Sequence, residues 1–520
     1  MKMKKTFITI LATPIIILIL VNIFSTLPKN ESNLKELKQE ISKKHMEVVD
    51  HTQFKILQQD FKTPQEVTLA CLTCHNETHK EVLQSSHWQW DREEFIKGRG
   101  VTQLGKKNIL NNFCIGIGGS EQTCTRCHVG YGWKDNTFDF NKKENIDCLI
   151  CHDNTEKYIK KPAGAGYPDE KVNLTEVAQK VGTPERSNCG VCHFYGGGGN
   201  NVKHGDLEES MFNCKRDVDV HMGINSSNMS CTDCHTTEHH NISGQMYSVS
   251  SMNKDRVTCE QCHTQTPHAN NTLNEHTKKV SCQTCHIPTY AKVNPTKLSW
   301  DWSTAGKLKD GKPYHETDAD GNHTYLSIKG SFKWGKNLNP EYIWFNGTAD
   351  HYLVGDIVDT SEVIKMNTLH GNFKDSEAKI IPVKIHRAKQ IFDCKNKMII
   401  QPKLFAEKEG EGGYWKDFDW NIASKLGMQS IDEPYSGNFC FVKTEMTWPL
   451  NHMVSDKTKS LSCIECHTRD DGRLEGLTDF YMPGRNYNAT IDNLGLLLIL
   501  LSLGGVIIHG FIRIITSKKR

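Results

Sequence analysis

The chain has 520 residues, a formal net charge of +2 and only 37% hydrophobic residues. Charges so close to balance exclude a strongly polyanionic partner, and we expect no binding to nucleic acid. The apolar fraction is low for a globular protein of this length, even when the 39 glycines are counted with it. Something other than aliphatic side chains must therefore supply part of the core.

Both ends of the chain carry membrane signals. A basic N-terminus is followed by Thr6–Phe24, an uncharged run of about the length that spans a bilayer. No small-residue cleavage pattern follows it, so we predict an uncleaved anchor over residues 1–29 rather than a signal peptide. Leu494–Ile515 is also apolar and precedes a basic tail, which predicts a second span within residues 491–520. The positive-inside rule then places residues 30–490 on the periplasmic face of the cytoplasmic membrane.

Residues 30–60 are predicted to form a helical stalk. Leu34, Leu37, Ile41 and Val48 recur at helical spacing in a charged background. Such a helix would lift the following domain off the bilayer or pair with a partner.

The pentapeptide Cys-x-x-Cys-His occurs eight times. It attaches haem c, because its two cysteines form thioethers to the macrocycle and its histidine binds the iron. An array of zinc ribbons is the alternative, but it gives no reason for a histidine after every second cysteine. We predict a multihaem c-type cytochrome with eight covalently bound haems, exported because such haems are attached outside the cytoplasm. The attachment residues are Cys71, Cys74, Cys124, Cys127, Cys148, Cys151, Cys189, Cys192, Cys231, Cys234, Cys259, Cys262, Cys282, Cys285, Cys463 and Cys466, and the iron ligands are His75, His128, His152, His193, His235, His263, His286 and His467.

The motif spacing predicts one octahaem domain over residues 30–490 that is mainly α and irregular. Seven motifs lie between Cys71 and His286, separated by short segments typical of helices and loops wrapped around haems. The interval 287–462 contains no motif and is rich in Trp, Tyr and Gly. We interpret it as aromatic packing over haem edges or a loop-rich insertion.

The second axial ligand decides what each haem can do. A histidine on the far face of the haem fills the sixth coordination site of the iron, so that haem only transfers electrons. A different sixth ligand marks a haem at which substrate can react. The histidines outside the motifs are numerous enough to provide a sixth ligand for every haem iron. By position, we predict as distal ligands His87, His204, His221, His239 or His240, His268, His276, His386 and His452.

Five strings in the exported body are distinctive. They are Cys114-Ile-Gly-Ile-Gly, Val-Gly-Tyr131-Gly-Trp133 after the second motif, Asp147-Cys-Leu-Ile-Cys-His-Asp153, the four-glycine loop from Cys192 to Asp206, and Ile385-His386-Arg387. These strings resemble the octahaem tetrathionate reductase family, and the resemblance covers most of the exported body. In that family, electrons end at a haem whose sixth ligand is a lysine, and members reduce tetrathionate and, more broadly, nitrite and hydroxylamine.

The resemblance implies that the active haem is the one on Cys124, Cys127 and His128, with Lys203 as its distal ligand. A lysine must be neutral to bind iron, so we expect a desolvated, electropositive site that lowers its pKa. The run Gly196–Gly199 suits this site because chain without side chains can approach a macrocycle closely. A flexible surface loop is the alternative interpretation of the glycines.

The same resemblance assigns Asn111 and Cys114 to the site, and the neighbours of Lys203 in the sequence add Asn200, His204 and Asp206. We expect His204 and Asp206 to supply protons to the substrate. Asn200 stands where the family has an aspartate, so proton delivery is expected to differ, because an amide does not ionise. The Cys114 thiol would help cleave a sulfur–sulfur bond. In an oxidising compartment, it could instead form a disulfide with one of the other cysteines outside the motifs, which are Cys214, Cys394 and Cys440.

The sequence thus predicts a membrane-anchored reductase of a small inorganic substrate, which is tetrathionate, nitrite or hydroxylamine. A quinol-oxidising membrane partner or a soluble cytochrome would donate the electrons. Two alternatives stay open: a pure electron conduit with two histidines on every iron, and an octahaem hydroxylamine oxidoreductase. The Cys-x-x-Cys-Lys motif of the pentahaem and octahaem nitrite reductases does not occur in the chain.

Overall fold

The structure is a computed structural model that describes residues 49–96, 98–245 and 251–517. The predicted N-terminal anchor and the apolar positions of the predicted stalk lie outside these residues. The α-helices of the described part are α1 Pro64–Cys74, α2 Thr78–Gln84, α3 Ser86–Gln89, α4 Glu121–Cys124, α5 Leu149–His152, α6 Leu174–Gln179, α7 Arg186–His193, α8 Asn271–His276, α9 Cys282–His286, α10 Tyr414–Asp417, α11 Trp420–Ser430, α12 Cys463–Cys466 and α13 Ala489–Ser517.

Short helices and loops build the part of the fold that carries the first seven motifs. Helix α1 begins with Pro64 at its first position and a capping box between Thr63 and Glu66, and it ends at Cys74 of the first motif. Other motifs fall on single helical turns or 3₁₀ turns, such as Cys231–Asp233. On a helical turn, residues three apart lie on one face, so the two cysteines of a motif project to the same side.

Four short strands lie among the first seven motifs, and the other strands follow the seventh motif. The strands of the described part are β1 Asp91–Ile96, β2 Gly100–Gly105, β3 Thr237–Glu238, β4 Asn241–Ile242, β5 Thr296–Asp301, β6 Leu308–Lys309, β7 Lys312–Pro313, β8 His315–Thr317, β9 His323–Leu326, β10 Gly330–Gly335, β11 Glu341–Phe345, β12 Ala349–His351, β13 Ile364–Lys365, β14 Asn367–Leu369, β15 Lys379–Asp393, β16 Met398–Ile399 and β17 Phe439–Pro449.

A nine-stranded mixed sheet occupies the interval without motifs. Its order is β13-β17-β15-β5-β10-β9-β8, and β11 and β16 also pair with β15. The long strand β15 pairs antiparallel with β17 and parallel with β5. The expected loop-rich insertion is therefore wrong for this interval, and a fold of helices and irregular chain alone is incomplete. The sequence shows part of the reason, because β-branched and aromatic residues make up six of the eleven residues of β17 and six of the fifteen of β15.

The sheet brings a hydrophobic core up to the loop that contains Cys114. Trp300, Trp302 and Trp448 are fully buried and belong to the same cluster as Phe113. The indole nitrogen of Trp302 donates a hydrogen bond to the Phe113 carbonyl at 3.0 Å. The strand framework thus fixes the position of a loop that the sequence assigned to the active site.

Cys394 and Cys440 form a disulfide between the end of β15 and β17. Cys114 and Cys214 are free thiols, and Cys214 is buried in a small apolar cluster with Phe194 and Met211. Of the alternatives considered for Cys114, pairing with Cys394 or Cys440 is therefore wrong.

One helix of the described part, Ala489–Thr516 within α13, is long and apolar enough to cross a membrane. Its mean hydropathy is 2.3, and its apolar side chains are exposed. The helix is joined to the last motif region by an ion pair between Arg469 and Asp492 at 3.5 Å.

Candidate active site

Six pairs of histidine rings face each other at nearly the same distance. Two metal–nitrogen bonds of about 2 Å plus the half-widths of two imidazoles give a centroid separation of roughly 6 Å. The observed separations of 6.1 to 6.4 Å fit an iron between the rings. The pairs are His87 with His193, His240 with His152, His452 with His235, His221 with His263, His268 with His286 and His276 with His467.

Hydrogen bonds orient several of these imidazoles for iron. Nδ1 of His152, His235 and His467 lies 2.7 to 2.9 Å from a backbone carbonyl oxygen. Each bond fixes the ring and leaves Nε2 for the metal, as is usual for ligating histidines. The residues therefore fit haem c at these motifs.

Three other predicted distal ligands lie elsewhere. The ring of His204 contacts Trp448 at 5.0 Å, and that of His386 contacts Phe113 at 4.4 Å. His239 lies 3.1 Å from Glu81, which also binds His240. None of the three rings faces a motif histidine at the spacing of the six pairs, within the described residues.

The motif histidines His75 and His128 also lack such an imidazole partner among the described residues. His128 is fully buried and is enclosed by five aromatic rings at centroid distances of 4.9 to 6.1 Å. These rings belong to Trp88, Trp90, Trp133, Phe138 and Phe140. Nε2 of His128 lies 2.7 Å from the Trp88 carbonyl, and its Nδ1 is buried without a hydrogen-bond partner. Nε2 of His128 is thus held by the backbone and Nδ1 is left without a partner, the reverse of the arrangement at His152, His235 and His467.

Lys203 lies beside this second motif. Its charge interacts with Cys127, and its Nζ is 4.5 Å from the centroid of the Trp448 ring. Burial, reinforced by the nearby positive charge of Lys106, lowers the pKa of Lys203 to about 7. An amine with this pKa is partly neutral near pH 7, which is the state that can bind iron.

Lys384 holds the backbone that carries Lys203. Its ammonium is fully buried and donates hydrogen bonds to the carbonyls of Val202 and Lys203, at 2.8 and 3.0 Å, and to Thr296 Oγ1 at 2.6 Å. Lys384 pairs with Trp448 across β15 and β17, so the same strand register places the aromatic ring under Lys203. Sequence reasoning missed Lys384, because lysines are ordinarily exposed.

The loop that presents Cys114 is closed by Asn111. The Asn111 side chain accepts from the Phe113 backbone N–H at 2.8 Å and donates to the Ile115 carbonyl at 3.0 Å. Ile115 adopts a φ of 66°, a left-handed conformation that is costly for a β-branched residue. Cys114 interacts with Cys124 of the second motif, so this loop brings a free thiol to the candidate haem site.

The side chains of Asn200 and Asp206 are hydrogen bonded to the backbone of other segments. Asn200 accepts a hydrogen bond from the Glu209 backbone N–H at 2.9 Å. Asp206 is buried and accepts from the backbone N–H groups of Asn451 and His452, at 2.7 and 2.9 Å, and lies 3.3 Å from His452 Nδ1. Asp206 thus positions the imidazole that faces His235.

Three comparisons place the chain among known proteins. A family model described as bacterial cytochrome c matches residues 297–470. An uncharacterized protein of Archaeoglobus fulgidus is 24% identical over 243 residues, covering 37% of this chain and 80% of the archaeal protein. The crystal structure of octaheme cytochrome c from Shewanella oneidensis matches with a TM-score of 0.78 and 46% identity, over 84% of this chain and 98% of that chain.

The chain belongs to the octahaem tetrathionate reductase family of c-type cytochromes. As an octahaem cytochrome it carries haem c and transfers electrons, and it acts outside the cytoplasm. The resemblance inferred from the strings around Cys114, Cys124 and Lys203 is confirmed.

Cysteines of different motifs that lie near each other show which motifs of this octahaem cytochrome are adjacent in space. Cysteines of neighbouring motifs lie close enough to shift each other's pKa, in the pairs Cys71 with Cys148, Cys127 with Cys192, Cys189 with Cys231 and Cys259 with Cys282. Electrostatic interactions add Cys151 to Cys189, Cys234 to Cys262 and Cys285 to Cys466. The motifs therefore run first, third, fourth, fifth, sixth, seventh and eighth, and the second branches from the fourth.

Proposed function

We propose that the protein is a membrane-anchored reductase with eight haems, in which Lys203 is the distal ligand of the haem on the second motif. The observation that carries the proposal is the contrast between motifs. Six motif histidines face a second imidazole, whereas His128 has none among the described residues and Lys203 lies beside its motif. The charge of Lys203 also contributes to the lowered pKa of His193. The ring of His193 already faces that of His87 at 6.1 Å, however, so the fourth motif has a second imidazole.

Bound haem c supplies one-electron carriers and, at the second motif, an iron that can hold a substrate atom. The protein residues define the rest of the site. Lys203 would hold the iron through its neutral amine, Lys384 fixes the Lys203 backbone, and five aromatic rings exclude water around His128. Asn111 holds the loop that presents Cys114.

The branching order of the motifs supports a directed electron path. The eighth motif lies next to the apolar helix α13, and its His467 binds the Pro483 carbonyl just before that helix. Electrons from a quinol-oxidising membrane partner would enter there and leave at the second motif, which ends a branch. A soluble cytochrome is the alternative donor. In this proposal α13 and the N-terminal apolar segment anchor the protein at the periplasmic face.

The placement of proton donors favours tetrathionate over nitrite. Tetrathionate takes two electrons, its central sulfur–sulfur bond breaks, and two thiosulfates form without any proton. Nitrite takes six electrons and eight protons to become ammonium and two waters, and hydroxylamine takes two electrons and three protons. Asn200 cannot ionise, and Asp206 is hydrogen bonded to the His452 segment. Burial and the nearby charge of Lys203 lower the pKa of His204 well below its usual value, so its imidazole carries no acidic proton for a substrate beside Lys203.

The test is reoxidation of the fully reduced protein by tetrathionate, nitrite and hydroxylamine in turn. The wild type is expected to be reoxidised by tetrathionate, and Lys203→Ala to be slowed by about 100-fold. A wild type that none of the three oxidants reoxidises would favour the electron conduit. Oxidation of hydroxylamine by the oxidised protein would favour the hydroxylamine oxidoreductase.

Acid is expected to detach Lys203. Because burial and Lys106 lower its pKa to about 7, the neutral amine predominates above that pH and the ammonium predominates below it. Binding to iron favours the neutral amine further, so the transition should lie at or below pH 7. A pH titration of the oxidised protein by electron paramagnetic resonance should show one low-spin component lost on acidification. Lys203→Ala should lack that component at every pH, and its persistence in this variant would contradict the assignment.

A further inference from the structure

Lys106 is an exposed lysine that directly follows β2. A turn holds its backbone in place, because the Gly105 N–H donates to Asn108 Oδ1 at 3.0 Å and the Asn108 amide donates to the Gln103 carbonyl at 2.6 Å. A Cβ on Gly105 would overlap the Trp90 carbonyl oxygen, so only glycine lets the end of the strand approach Trp90 this closely. The turn therefore fixes Lys106 beside Trp90.

The Lys106 ammonium lies on the outside of the aromatic wall around the second motif. Its Nζ is 3.7 Å from the centroid of the Trp90 ring, and this cation–π contact holds an exposed side chain in one place. The Trp90 ring is itself buried, lies 5.4 Å from the His128 ring and packs with Cys124 and Cys127. One aromatic ring therefore separates the ammonium from the imidazole of this motif.

Two other lysines act on the same imidazole, and each is paired with a carboxylate. Nζ of Lys107 lies 3.2 Å from Asp91, and Nζ of Lys160 lies 2.9 Å from Asp147. Lys106 forms no ion pair with a carboxylate of the described ranges, and its charge is balanced only by the face of an aromatic ring. Lys106 is thus the lysine of the three whose positive charge is not cancelled by a neighbour.

The charge of Lys106 acts on both sides of the candidate haem site. Burial raises the pKa of the Cys124 thiol to about 12, and it lowers the pKa of His128 to about 3 and that of Lys203 to about 7. At each of these groups the positive charge of Lys106 favours the form with one proton fewer, whereas the carboxylate of Glu121 opposes it at Cys124. The proximal imidazole and the distal amine therefore share one source of positive potential.

We infer that Lys106 raises the reduction potential of the haem on the second motif. The inference rests on the proposed function, in which this haem is the reacting one and ends a branch of the motif order. An electron that reaches it leaves the haem of the fourth motif, so one iron is reduced as the other is oxidised and no proton need move. Reduction adds one negative charge to the site, and an uncancelled cation stabilises the reduced state. Lys106 acts through its charge and is not a catalytic residue.

The test is a redox titration of the haem-loaded full chain in detergent across a charge series at position 106. Lys106→Arg keeps the charge and should keep the potential. Lys106→Met should make reduction of this haem less favourable by up to about tenfold, which is about 59 mV for a one-electron couple. Lys106→Glu should double the shift of Lys106→Met. Lys312→Met is the matched control, because Lys312 is exposed in the β6–β7 hairpin and should leave the potential unchanged.

The titration is followed by two signals. Electron paramagnetic resonance reports the component that Lys203→Ala lacks, and absorbance reports the one haem in eight whose potential depends on residue 106. Because Lys106 is exposed, salt should screen its charge, so the difference between wild type and Lys106→Met should shrink between about 0.01 M and 1 M ionic strength. Lys106→Gln provides a second neutral variant if Lys106→Met loads fewer haems than the wild type.

Potentials that are the same in wild type, Lys106→Met and Lys106→Glu would overturn the inference. A shift of equal size in Lys106→Arg and Lys106→Met would also overturn it, because the cause would then be packing and not charge. If Lys203→Ala lacks no resonance component but one eighth of the absorbance still follows the charge series, the proposed function fails and the role of Lys106 stands. If that component exists and its potential ignores the series, only the role of Lys106 fails.

Discussion

Lys203→His is expected to convert the protein from a reductase into a conduit. A second imidazole in place of the amine would close the far side of the second motif as the six paired motifs are closed. Turnover of tetrathionate should fall by about 100-fold or more, because the interaction lost is one that serves only the reacting site. Electron uptake through the other seven haems should continue. The measurements are kcat/KM with a reduced dye as donor and the rate of haem reduction by the same dye.

Lys416→His is the matched control, because Lys416 is exposed and lies far along the chain on α10. It should change neither rate. Lys203→His with wild-type turnover would contradict the assignment of Lys203. If haem reduction slowed in parallel with turnover, the substitution would have damaged the relay and not the reacting site.

Lys160→Met is expected to destabilise the fold around His128. The Lys160 ammonium is buried 2.9 Å from Asp147 Oδ2 and donates to the His128 carbonyl. Asp147 also accepts from the hydroxyls of Tyr131 and Tyr158, at 2.9 and 3.0 Å. Burial, with the charge of Asp147, raises the pKa of both tyrosines, so they stay protonated as donors. Removing Lys160 leaves a buried carboxylate without its cation, which typically costs about 3–5 kcal/mol.

Urea unfolding followed by far-ultraviolet circular dichroism measures this loss. The double variant Lys160→Met with Asp147→Asn removes both charges and should be less destabilised than the single variant. A double variant that is less stable than Lys160→Met would contradict a charge-based cause. Lys161→Met is the control, because Lys161 is its exposed neighbour, paired only with exposed Glu170.

The haem-binding framework was predictable because covalent chemistry fixes its residues. The Cys-x-x-Cys-His pentapeptide identifies both attachment sulfurs and the first ligand. His276, one of the histidines predicted as a distal ligand, faces His467 at 6.1 Å, although the sequence did not predict which motif it would face. Adjacent His239 and His240 could not be separated from the sequence. Both have positive φ, and the local backbone directs only His240 toward His152.

The sheet and the cations around the site were not predictable in the same way. Positions 384, 386 and 388 lie on the buried face of β15, but they carry Lys, His and Ala, so the sequence shows no alternation of apolar residues there. The sequence also does not reveal that Lys384 is buried with three acceptors, because those acceptors come from Val202, Lys203 and Thr296, far away in sequence.

The most direct measurement is an experimental structure of the oxidised, haem-loaded protein that identifies the atom opposite His128 on the iron of the second motif. This atom is expected to be Nζ of Lys203, while the irons at the six paired motifs each carry two imidazoles. An imidazole nitrogen opposite His128 would contradict the assignment of Lys203, because no iron beside Lys203 would then differ from the relays.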